Sequence, residues 1–317
     1  MLVALLTCGA LGCGSPPARA PEPTSAERFN AEGLRRLERG ELDGAVEMFR
    51  AALREAELVD DLIGQAEAWN NLGAVAMVQD APERAWSNHT NALRLYRLAE
   101  VRDLGEVETL TNLGSALLAS GRPEEARTQF EEAVELGETL KGAEAVTVAR
   151  VGLAAVALQA GDFTEASQQA AAAGKSARRR GDVATLAAAL AVQGAAAEAM
   201  GELRRARALF NEALEIDRKR EVPHAVRDHL RALARVAQRQ NDEQEAAALL
   251  TRCARISRWL GQLDAAESEL RRASEAAAAA SSRQIDDAIQ LERRLLEVAR
   301  DQAAPPQPAS PLPAEEP

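Results

Sequence analysis

Residues 66–95 read AEAWNNLGAVAMVQDAPERAWSNHTNALRL, and the order of large and small side chains in this run decides the fold. Trp69, Leu72 and Ala76 recur at intervals of three and four, the spacing that brings residues to one face of a helix. After a break at Asp80, Ala85, His89 and Ala92 do the same for a second helix. Aspartate enters the left-handed region at low cost, and Pro82 suits the first position of the helix that follows. The run is a helical hairpin.

Outward from this hairpin the same marks repeat. Turn residues stand at Gly40, Asp80, Gly121, Gly161, Gly201 and Asn241, a step of 40 with one residue inserted near Asp103 to Gly105. Seven residues before each lies a small residue, in the series Gly33, Gly73, Gly114, Ala154, Gly194 and Ala234. Five residues after each lies Ala45, Ala85, Ala126, Ala166, Ala206 or Ala246. A plug column follows, Phe49, His89, Phe130, Ala170, Phe210 and Leu250, and then Ala52, Ala92, Ala133, Ala173, Ala213 and Cys253. Chance does not hold four columns in register through six copies of an Ala-rich chain. Halfway between the markers, Asp60 with Asp61, Gly105, Gly142, Gly181, Pro223 and Gly261 are expected to separate one hairpin from the next.

Trp69, Leu72 and Gly73 followed by Ala85, His89 and Ala92 resemble the tetratricopeptide repeat, whose pattern is a large residue, Leu-Gly, then Ala, an aromatic and Ala. The resemblance implies an all-α fold, a right-handed α-solenoid of about seven antiparallel helix pairs. The usual period is 34 residues, so a step of 40 resembles the long-repeat branch, as in kinesin light chains and bacterial peptide-sensing regulators. Glu32, Arg150 and Gln193 depart from the pattern where the family places apolar residues. The chain divides into a leader (1–13), a Pro-rich tether (14–24), the array (25–302) with its seventh pair degenerate and capping, and a Pro-rich tail (303–317).

Aromatic residues are 3% of the chain and apolar residues 46%, which suits thin helix-on-helix layers. The net charge of −11 argues against nucleic acid, which needs a basic face to displace counterions. Met1 to Gly12 is apolar, uncharged and too short to span about 30 Å of hydrocarbon. It fits the apolar core of a secretory signal. Ala10 to Cys13 resembles a bacterial lipobox, with Ala10 where Leu is usual, and the resemblance implies lipidation of Cys13. Gly14 after the cysteine resembles lipoproteins sent to the outer membrane. The alternatives are a hydrophobic leader that is cleaved or frayed without lipidation, or a cytosolic protein with an unusual start.

Chemistry is sparse. Cys253 stands in an alanine column and reads as buried packing. His89 reads as interior, and His224 and His229 turn to different faces, so no metal is expected. Neither a phosphate-binding glycine loop nor a nucleophile elbow occurs, so no enzyme, cofactor or small-molecule substrate is expected. What remains is the groove. By resemblance, the first helix of each pair lines a concave surface, which would run Asn30 and Leu34, Asn70 and Ala74, Thr111 and Ser115, Val151 and Ala155, Ala191 and Ala195, Arg231 and Arg235, with Met77 and Leu118 one turn on. Asn70, Asn71 and Asn112 suit a peptide backbone, or else a neighbouring helix. Arg227, Arg231, Arg235 and Arg239 form a stripe that would receive a carboxylate, or else a solvated face. Asn30, Leu34 and Glu108 replace the Lys and Asn clamp of chaperone-binding members. The expected function is a lipid-anchored envelope scaffold holding a peptide or protein partner, touching membrane only through its lipid. The alternative is a cytosolic regulator that binds a signal peptide or effector.

Overall fold

The computed structural model describes residues 23–303, and every regular element among them is a helix. In chain order these are α1 (Ser25–Glu38), α2 (Leu42–Leu58), α3 (Leu62–Val78), α4 (Pro82–Ala99), α5 (Leu104–Ala119), α6 (Pro123–Thr139), α7 (Ala143–Ala160), α8 (Phe163–Arg180), α9 (Val183–Ala199), α10 (Leu203–Lys219), α11 (Pro223–Arg239), α12 (Glu243–Trp259), α13 (Leu263–Ala280) and α14 (Arg283–Ala303). They form seven antiparallel pairs. The leader and most of both Pro-rich segments, Cys13 included, lie outside the described residues.

All six turn markers take a left-handed backbone, from φ 55° at Asp80 to 84° at Gly161. Beyond each, an N–H reaches back five residues to a helix carbonyl, as Glu41 does to Arg36 at 2.9 Å and Asp242 to Ala237 at 2.9 Å. This closes the carbonyls that a helix end leaves open. The turns between pairs differ from expectation in three places. Gly105 is inside α5, and the chain reverses at Glu100 (φ 55°), with Asp103 capping the helix through the Glu106 N–H. Glycine is needed at 105 for another reason, since a Cβ there would stand 2.2 Å from the Tyr96 hydroxyl. Lys141 (φ 58°) makes the turn expected at Gly142, and Glu221 (φ 55°) the one expected at Pro223, which opens α11.

The core is built by pairing rings with glycines. Phe49 packs on Gly33, His89 on Gly73, Phe130 on Gly114 and Phe210 on Gly194, each so closely that a Cβ would sit 2.4 to 2.8 Å from the ring. Where the small column holds alanine instead, at 154 and 234, the plug is Ala170 or Leu250. All six plugs are buried. The departures from pattern find polar partners: Glu32 bonds Arg35 and Arg36, Arg150 pairs with Glu138, and the Gln193 amide donates to the Ser167 carbonyl.

The backbones of successive odd-numbered helices come close from α1 through α11, whereas among even-numbered helices only those of α12 and α14 do. A row whose members touch is shorter than one whose members do not, so the array curves with its odd-numbered helices inside. That row is the concave face.

Gly152 and Gly174 separate packing from propensity. A Cβ at Gly152 would lie 2.3 Å from Phe130, whose ring Gly114 already confines, whereas at Gly174 the nearest atom would be 3.5 Å away. Gly152→Ala should destabilise the protein by about 1–3 kcal/mol through overpacking. Gly174→Ala should stabilise it by about 0.5–1 kcal/mol through helix propensity. Denaturant midpoints of the two variants, compared with the parent, check both signs.

Candidate functional site

The concave face has three zones. The first is a set of amides between α1, α3 and α5. Asn71 donates to Asn30 Oδ1 at 3.4 Å, Asn112 donates to Asn70 Oδ1 at 3.2 Å, and Asn70 Nδ2 donates to Glu108 at 3.3 Å. His89 approaches the same Asn70 oxygen with Nδ1 at 2.8 Å. Because that oxygen can only accept, Nδ1 carries the ring proton. Asn30, Asn70 and His89 are buried, and burial holds the His89 pKa down to about 4. The expectation that Asn70 presents its amide to a peptide backbone is therefore corrected: both ends of it are occupied by the protein. Asn71 and Asn112 bond neighbouring helices, the second of the two readings that sequence allowed.

One turn toward the helix N-termini, Glu27, Glu67 and Glu108 stand at equivalent places in the first three pairs, all exposed. Partial desolvation against the packed face, followed by the nearby charges of Asp61, Glu27, Asp103 and Glu108, pushes the Glu67 carboxyl above its usual range. The face is acidic at this end.

The second zone lies between α5 and α7. Thr111, Ser115, Leu118, Val151 and Ala155, all expected on the concave surface, gather with Val148 around an open cavity of about 380 Å³ floored by Phe130 and Gly152. Ser115 returns its hydroxyl to the Thr111 carbonyl at 3.0 Å, and Thr111 its own to Val107 at 2.8 Å. With those hydroxyls satisfied internally, the cavity presents mainly carbon. Ala74 and Met77, half-buried on α3, continue the same face, and Leu34 is exposed on α1.

The third zone corrects the arginine stripe. Arg231 pairs with Asp228 at 3.1 Å and with buried Glu269 of α13. Arg235 pairs with Glu198 of α9 at 3.1 Å, Arg239 donates to the Glu198 carbonyl, and Arg227 is held by Asp228 and Gln262. These guanidiniums stitch repeats together through partners of their own. Glu269 and Glu198 lie 38 and 37 residues from Arg231 and Arg235, as Glu108 lies 38 from Asn70. That offset, slightly less than one repeat, is the sequence signal that would have found them.

Elsewhere, Cys253 is buried beneath the Arg227 carbonyl with its thiol pushed up to about 12 by burial. His229 is buried against Asp217 at 2.9 Å, while His224 is exposed. Among the described residues no three metal-ligating side chains converge.

These features define a class, the α-solenoid of short helical hairpins with an inner face built from alternate helices. Residues 64–139 match the tetratricopeptide repeat family, and the described residues share the fold of tetratricopeptide-repeat solenoids. No curated protein sequence matches it. Solved structures of similar fold include a Rap protein complexed with competence and sporulation factor, at 15% identity, 83% of this chain, 76% of that one and a TM-score of 0.59. Another is a signal-transduction ATPase with a tetratricopeptide-repeat sensor from Pyrococcus horikoshii, at 15% identity over 89% of this chain and 42% of that one, TM-score 0.63. PilF of Pseudomonas aeruginosa is similar at 19% identity over 73% and 91%, TM-score 0.50.

His89 supplies a pH test. The folded chain keeps the ring neutral down to about pH 4, whereas the unfolded chain binds the proton near 6.5. Between those values the unfolded state holds more protons, so His89 costs stability as pH falls through that window, by about 3 kcal/mol in all. His89→Phe, the residue used in three other plugs, should lose that part of the slope. Urea midpoints of both proteins from pH 7 to pH 4 check it, and their difference cancels carboxyls such as Glu67, whose raised pKa acts in the opposite sense.

Proposed function

We propose that the concave face from α3 to α7 holds an extended segment of a partner protein. The observation that carries this is the gathering of Thr111, Ser115, Leu118, Val151 and Ala155 over Phe130 as an open apolar cavity on the inner row. It has room for one or two aliphatic side chains. Glu27, Glu67 and Glu108 line the approach, so the segment that fits best places Lys or Arg beside its apolar residue, each cation relieving repulsion that the face now bears. The complex of a Rap protein with competence and sporulation factor supports such use of this fold.

The scaffold reading extends to an anchor at Cys13. Its support is the sequence around Ala10 to Cys13 and the Pro-rich run to Thr24, which would hold the array clear of a bacterial envelope membrane. One acyl chain binds a bilayer only marginally, and a multiply acylated cysteine would bind firmly.

Peptide-display selection against the purified protein should enrich segments with an aliphatic residue next to Lys or Arg. Ala155→Trp, which fills the cavity from a half-buried position, should weaken their binding by about tenfold or more with helicity unchanged. Selected peptides indifferent to Ala155→Trp would move the site off the concave face. For the anchor, palmitate labelling of expressed protein should survive Cys8→Ser and disappear in Cys13→Ser; labelling indifferent to Cys13 removes it.

A further inference from the structure

On its outer side, α8 breaks the repeat frame twice. The column that holds Leu95, Leu136, Ile216 and Ile256 in other repeats holds Ser176 here, and the column of Leu53, Leu93, Val134 and Leu214 holds Gly174. Most other repeats carry a larger aliphatic side chain in these columns, Glu55 and Ala254 being the exceptions, and α8 is hollow on both flanks. Between α6 and α8, over α7, the hollow is a cavity of about 480 Å³. Between α8 and α9 a second one measures about 350 Å³.

What lines these hollows is not apolar. The larger is walled by Lys141, Arg150 and Arg179, with Glu138 as its one carboxylate, and floored by Thr147 and Ser176. Arg150 is paired to Glu138 at 2.7 Å, whereas Lys141 and Arg179 make no ion pair among the described residues. Three cations against one carboxylate leave two positive charges in excess, on a chain whose net charge is −11. Arg180 donates to Thr147 Oγ1 at 3.0 Å and to Ser176 Oγ at 2.7 Å, which fixes both hydroxyls in place. Arg179 also lines the second hollow, with Lys175 and Arg178 beside it.

We propose that the hollowed flank of α8 is a binding site for a phosphate monoester. A monoester carries roughly 1.5 to 2 negative charges at neutral pH, the size of the local excess. The cavity volume falls within the few hundred to about 1,000 Å³ of small-ligand sites. Arg179 and Lys141 supply the unpaired cations, and Ser176 supplies a hydroxyl to donate to a phosphate oxygen, the Thr147 proton being given to the Ala143 carbonyl at 2.6 Å. The site is on the opposite side of the array from the concave groove and does not depend on that reading. Its ligand is either a soluble phosphate ester or the headgroup of an anionic phospholipid.

Two probes separate those sources: glycerol 3-phosphate titrated calorimetrically, and flotation with phosphatidylcholine vesicles containing phosphatidic acid. The protein should bind at least one of them. Binding of glycerol 3-phosphate assigns a soluble ester, and binding of vesicles alone assigns a headgroup. Arg179→Glu should weaken the interaction by about tenfold or more. Ser176→Leu restores the residue type of the other repeats and fills the cavity, so it should abolish binding while circular dichroism and thermal midpoint stay at or above those of the parent. Absence of binding to both probes overturns the proposal, as does binding that survives Ser176→Leu.

Discussion

The array depends on one contact made again in each hairpin, an aromatic or aliphatic plug from the second helix laid on a residue without bulk in the first. With glycine opposite a ring, the two helix axes approach closely, and the side chains around the plug can be as small as alanine. This is how a chain with only 3% aromatic residues builds a continuous core. It also explains why the two columns change together. Ala234 opposes Leu250, so volume lost on one side is partly regained on the other, whereas Ala154 opposes Ala170 and both are small. The pair whose plug is smallest, α7 with α8, is bordered by two hollows on the outer side.

Close apolar packing inside each pair leaves the joints between pairs to polar groups. On the inner row the amides of Asn30, Asn70, Asn71 and Asn112 bridge the first three pairs, and Arg231 and Arg235 bridge the last three through Glu269 and Glu198. On the outer row Arg97 with Glu132, Arg178 with Glu212 and Arg258 with Glu292 do the same at offsets of 34 or 35 residues. Exposed pairs of this kind add little stability singly, but each has the geometry to set how one hairpin sits on the next. Between the two polar stretches of the inner row, α5 and α7 meet through small and apolar residues, and the cavity opens there.

Most of the fold was legible because it rests on residues whose chemistry admits few roles. A glycine seven places before a turn and an aromatic nine places after it, repeated at a fixed step, leave little but a helical hairpin. The turns that were missed fall on Glu100, Lys141 and Glu221, residue types that rarely adopt a left-handed backbone and so give no local warning. Gly105 misled because glycine serves either a turn or a crowded contact, and only the nearby Tyr96 shows which. Of the concave positions, Thr111, Ser115, Leu118 and Val151 fell together as a period-based reading places them. Asn70, Arg231 and Arg235 did not behave as one helix viewed alone implies, because their partners are a repeat away. Periodicity tells which way a side chain faces and is silent about what already waits there.

The inserted residue ahead of Asp103 gives the array one joint unlike the others. Every other turn is locked by an N–H reaching five residues back, and the turn at Glu100 has no such lock. A stack of nearest-neighbour units shares load in series, so a pull or twist applied at its ends concentrates at the most compliant link. The joint at Glu100 falls after the second hairpin, between the acidic entrance formed by Glu27 and Glu67 and the cavity beneath Val151. Side chains take over the missing tie, Asn112 with Asn70 on the inner row and Arg97 with Glu132 on the outer.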